Sequence, residues 1–112
     1  MIRVRLLAAS CALLLGAAGP RPAVAASAAD LETMSRMALL LGRAVGCGLD
    51  TRRAVKAIGA WLDQTFPPGS AERTRYMQVF GTDLRRHARQ QQNGDTPDSC
   101  ADVADALDAV DW

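Results

Sequence analysis

Apolar positions along residues 26–112 recur at three- and four-residue spacing and show no two-residue strand rhythm. The pattern predicts four helices. The first covers about Asp30 to Val45, with Asp30 as N-cap and Leu31, Met34, Ala38, Leu41 and Val45 as its apolar stripe, widened by Met37 and Ala44. Gly46-Cys47-Gly48 ends it, since glycine takes the left-handed conformation of a helix C-terminus without steric cost. The second starts at Asp50 or Thr51, both good caps, and carries Ala54, Val55, Ile58, Trp61, Leu62 and Phe66 on one face. Pro67-Pro68-Gly69 stops it.

Ser70 caps the third helix, which runs to about Gln92 with a stripe of Tyr76, Met77, Phe80, Leu84 and Ala88. Its last turns, Arg85 to Gln92, are so polar that they are expected to project into solvent. For the fourth helix, Thr96 reads as the cap, Pro97 as the first helical residue and Asp98 as an acid at the positive end of the dipole. Cys100, Val103, Leu107 and Val110 then share a face, which turns Cys100 toward the core. Short connections favour roughly antiparallel packing of sequential helices. The expected fold class is all-α: a small four-helix domain with one disulfide, after a cleaved signal peptide.

Residues 1–25 follow a different pattern. Arg3 and Arg5 form a positive start, Leu6 to Ala18 is an uncharged run of thirteen residues, and Ala23-Val24-Ala25 matches an A-x-A cleavage site. A helix of that length spans about 20 Å, short of the ~30 Å hydrocarbon core that a membrane anchor must cross. The reading is therefore a signal peptide over 1–25 and a single helical domain over 26–112. Ala8-Ala9-Ser10-Cys11 loosely resembles a bacterial lipobox, but the apolar run continues past Cys11 instead of closing there.

Cleavage also resolves the cysteine count. Of three cysteines it removes Cys11 and leaves Cys47 and Cys100, an even pair that reads as one disulfide in an exported domain. The alternative, two free buried thiols, fits export poorly. With 53 positions between them, loop closure contributes about 4 kcal/mol at the upper end. The remaining 87 residues are few enough for that to matter.

Charge changes the picture next. Residues 26–112 hold ten basic and twelve acidic side chains, a net charge of −2, unevenly placed. Asp95 to Asp111 contains six aspartates and no cation, and helical spacing puts Asp98, Asp102 and Asp105 on one stripe opposite the apolar face. Such a stripe is either a solvated face or a recognition surface for a basic partner. Arg52, Arg53 and Lys56 open the second helix, where cations oppose the helix dipole. Asp50, Asp63 or the acidic fourth helix could offset them, or else a bound anion or acidic partner. These six charged residues are the candidate partner-binding positions.

Candidate chemistry is sparse. His87 is the only histidine and lies among Arg85, Arg86 and Arg89, where neighbouring cations disfavour its protonation. It reads as a solvated helix residue, and one histidine forms no familiar zinc cluster. Ser27, Ser35, Ser70 and Ser99 lack a nucleophile-elbow context. Cys47 and Cys100 are not a C-x-x-C redox pair. No phosphate loop or dinucleotide fingerprint occurs. No catalytic residue, metal site or cofactor is expected, and an enzyme or redox protein is disfavoured. Nucleic acid is not expected as a partner of a slightly acidic exported chain, and no membrane association is expected after signal cleavage.

The expected function is that of a periplasmic or secreted protein acting by binding another macromolecule, as an adaptor, inhibitor or accessory factor. In size, export and single long-range disulfide the chain also resembles small periplasmic acid-stress chaperones. That likeness, carried by no shared motif, implies the alternative that mild unfolding exposes the Met- and Leu-rich first helix to clients.

Overall fold

A computed structural model describes residues 26–112. The expected signal peptide and its cleavage site lie outside the described residues. The described chain forms four helices: α1 (Ala28–Gly46), α2 (Arg52–Thr65), α3 (Ala71–Gln92) and α4 (Cys100–Ala109). No strand occurs among the described residues, so the all-α expectation holds.

Two helix starts differ from expectation, for the same local reason. α1 is capped by Ser27, whose hydroxyl accepts from the Asp30 backbone N–H at 3.0 Å while the Asp30 carboxylate accepts from the Ser27 N–H at 3.4 Å. Asp30 is thus the third helical residue of a capping box, and the cap is Ser27. α4 repeats the device with Ser99 and Asp102. It begins at Cys100, three residues beyond the expected Pro97 start. Thr96 instead donates its hydroxyl to the Gln91 side chain inside the α3–α4 connection. Ser70 caps α3 as expected, accepting from the Arg73 N–H at 3.1 Å.

The core is built from Met34, Ala38, Leu41, Ala44, Ala54, Ile58, Leu62, Phe66, Phe80, Val103 and Leu107. Among the expected stripe positions, Val45, Val55 and Met77 are exposed, and Ala44 is fully buried beside Val45. Phe66, the bulkiest fully buried side chain, sits between Trp61 and Tyr76, with ring centroids 6.2 and 5.1 Å away. Arg73 closes this corner by donating to the Phe66 carbonyl at 3.1 Å and pairing with Asp63 at 2.8 Å.

The main packing is between α1 and α3, which are not sequential neighbours. Gly42 lies against Leu84 and His87, and Gly46 one turn later against Ala88 and Gln91, so residue numbers rise together and the two helices run parallel. α2 therefore serves as the crossover between them. A Cβ on Gly42 would lie 2.6 Å from the Leu84 carbonyl oxygen, and one on Gly46 2.5 Å from that of Ala88. Ala38, Gly42 and Gly46, spaced by four, make a groove on α1 that admits the α3 backbone. This overturns the expectation that the polar end of α3 projects into solvent. Ala88 and Gln91 are buried against α1, and only Arg85, Arg86, Arg89 and their neighbours on the outer side are exposed.

Gly46 remains helical and serves this close approach. The left-handed turn is made by Gly48, at φ 71° after the C-cap Cys47.

Candidate functional site

The disulfide joins Cys47, just past the end of α1, to Cys100 at the first position of α4, with Cα atoms 5.6 Å apart. Cys100 is exposed and Cys47 half-buried, so the bond runs over the surface. The expectation that Cys100 points into the core is incorrect: Cys100 is the first residue of α4 and exposed, and of its expected face Val103 and Leu107 are the buried members. Beside the bond, the Arg43 guanidinium pairs with the Asp98 carboxylate. Buried Gln91 donates its amide to the Asp98 carbonyl at 2.9 Å and accepts from Thr96. All of these ties lie at the N-terminal end of α4.

Asp98 therefore differs from its expected place. It precedes α4, is only partly exposed, and is held by Arg43 within the chain, so it is not part of the outward stripe. Asp102 is exposed but spends its carboxylate on the α4 cap. Asp105 is exposed, and the outward acidic face continues through Asp108 to Asp111. Among the described residues, Asp102, Asp105, Asp108 and Asp111 have no ion-pair partner.

At the start of α2 the expected conflict between cations and dipole is partly offset. The Arg52 guanidinium forks onto Asp50 at 3.0 and 2.8 Å, and the Arg52 backbone N–H donates to the same carboxylate at 3.1 Å. These bonds, from the Arg52 side chain first, hold the Asp50 carboxyl well below the usual range, at about 2, and raise the Arg52 pKa in turn. Arg53 and Lys56 are exposed and have no ion-pair partner among the described residues. Arg53 lines a cleft of about 230 Å³ together with Asp50, Ala54, Leu107, Asp108 and Trp112. The Trp112 ring is anchored there by its indole N–H, which donates to the Leu107 carbonyl at 3.0 Å.

The two candidate patches, distant in sequence, thus share an edge. They meet at this cleft through Arg53 of α2 and Asp108 of α4, with the Trp112 indole beside them. The cleft is smaller than the ~300–1,000 Å³ usual for small-molecule sites. Among the described residues no group of three histidine, cysteine, aspartate or glutamate side chains is placed to hold a metal.

The sequence reading missed three features. The Ala38–Gly42–Gly46 spacing was visible, but Gly46 reads more simply as a helix stop. The Arg43–Asp98 pair spans 55 positions with no local signal. His87, expected in solvent, is half-buried in the α1–α3 seam against Gly42. Burial first, then the Arg86 charge, lowers its pKa, and Gln90 and Asp83 only partly oppose this.

Comparison of the chain with family models, with characterised proteins and with solved structures returns no match.

Proposed function

We propose that this is an exported helical domain that acts outside the cytoplasm by binding another macromolecule, as an adaptor, inhibitor or accessory factor, through the acidic outer face of α4. The observation that carries the reading is that Asp105, Asp108 and Asp111 are exposed with no ion-pair partner among the described residues, whereas Asp98 is paired with Arg43 and Asp102 caps α4. A face of one sign suits a basic protein surface, because complementary charge steers encounter and fixes orientation. Export is supported by the signal-like residues 1–25 and by the disulfide. No helix among the described residues is long and apolar enough to cross a membrane.

Asp98 and Asp102 are poor probes of this face, since one holds Arg43 and the other caps α4. The informative variant is Asp105→Asn with Asp108→Asn and Asp111→Asn, which keeps shape and removes three free charges. Stability should change by under ~0.5 kcal/mol per site, the usual range for exposed positions. Capture of partners from a native periplasmic extract should fall in the variant. Capture by the unaltered protein should weaken as salt rises to 1 M, where the Debye length is ~3 Å. Equal capture by both proteins at every salt concentration would remove the acidic face from the reading.

A second reading, the stress chaperone, rests on one observation. A groove between α1 and α3 is lined by Leu31, Met34, Ala38, Tyr76, Val79 and Phe80, and Val79 is 46% exposed. Unfolded clients would use that apolar groove, so suppression of client aggregation by the triple variant, undiminished, would favour it over the acidic face.

A further inference from the structure

The close α1–α3 contact at Gly42 holds the chain's only histidine. Gly42 has no side chain, and a Cβ placed there would lie 2.8 Å from the His87 Cβ, so the start of the His87 side chain is pressed onto the α1 backbone. Burial is the largest influence on the imidazole, and the charges that act on it are two cations and one carboxylate. Arg43 faces it from α1, Arg86 adjoins it on α3, and Asp83 and Gln90 of α3 supply the opposing contributions. Arg43 is already committed to Asp98, and Arg86 to Asp83 at 3.2 Å. Neither carboxylate is therefore free to serve a new charge fully.

We propose that His87 is a pH-responsive element of the α1–α3 seam: protonation adds a third cation beside Arg43 and Arg86 and loosens the last turns of α3 from α1. The direction follows from linkage. The His87 pKa is lowered in the folded chain below its ordinary 6.5, so the unfolded chain takes up its proton first. The stabilisation is complete above about 6.5, is lost as pH falls from there toward the folded-state pKa, and changes no further below it. The effect reaches α4 as well, because repulsion of Arg43 acts on the group that holds Asp98. It is independent of what the acidic face binds.

The chain has one histidine, and no other side-chain type has an ordinary pKa between 5 and 8. Any stability slope in that window is therefore assignable to it, apart from the chain's α-amino group, which is common to all variants. Thermal and denaturant unfolding of the purified protein between pH 7.0 and 5.5 should show the unfolding constant rising on acidification, by no more than about tenfold per pH unit, the limit for one proton. His87→Gln, which cannot be protonated, should flatten that slope. An NMR titration of the His87 ring in the unaltered protein provides a second readout that does not depend on the variant folding well, and should give a value below 6.5. A ring that titrates at or above 6.5, or a slope that survives unchanged in His87→Gln, overturns the proposal.

Discussion

Cys100→Ser should lower the thermal midpoint by up to roughly 15–30 °C. The bond closes a loop with 53 positions of sequence separation, for which loop closure gives about 4 kcal/mol at the upper end. Each kcal/mol moves the midpoint of a domain this small by about 4–8 °C. The exposure of Cys100 makes the reading clean: a serine there removes almost no core packing, so the loss reports the cross-link. The double variant, with Cys47→Ser added, should melt with the single one, because either substitution opens the same loop. Arg43–Asp98 and the Gln91 amide remain to hold the start of α4, so the reduced chain should still fold at low temperature. A midpoint unaffected by reductant and by both substitutions would mean that those polar ties and the Val103 and Leu107 contacts suffice.

Gly42→Ala should destabilise by about 1–3 kcal/mol, the range for overpacking a close helix contact. The new methyl meets the Leu84 carbonyl oxygen at 2.6 Å, a backbone atom that cannot rotate away, so α3 as a whole must shift. Gly59→Ala supplies the opposite sign. That glycine lies inside α2 with nothing within 4 Å of the added Cβ. Alanine there should stabilise by roughly 0.5–1 kcal/mol, through the smaller entropy the helix interior then loses. Denaturant midpoints of the two variants should therefore move apart. If both move the same way, the parallel α1–α3 seam is misplaced.

The residues that spoke for the fold were those whose signals are local. Periodic apolar positions located all four helices, Ser70 and the Pro67-Pro68-Gly69 break set the α2–α3 boundary, and the cysteine count gave the bridge. The boundary at α1 was displaced because Asp30 resembles a cap as much as Ser27 does; the capping box uses both residues, and only the geometry says which is first. The boundary at α4 was displaced because Thr96-Pro97 reads as a cap and first helical residue, whereas the helix is capped three residues later by Ser99 together with Asp102. The α1–α3 pairing was illegible for a different reason. Nothing in the polarity of Arg85 to Gln92 announces that its thin inner side, His87, Ala88 and Gln91, rests on glycines of another helix. Of the candidate site, Arg52, Arg53 and Lys56 lie where helical spacing placed them, and the one-signed end of the chain remains outward at Asp102 and Asp105. Asp98 did not, since its partner Arg43 is far away in sequence and close only once the disulfide end is assembled.

The measurement that bears most directly on the proposed export and on the disulfide clasp is the intact mass of the protein recovered from the periplasm of expressing cells, before and after reduction. The account predicts a chain beginning at Ala26, lighter by two hydrogen atoms than its reduced form, with Cys47 and Cys100 joined. A species that keeps residues 1–25, carries a lipid on Cys11, or gains no mass on reduction would contradict it.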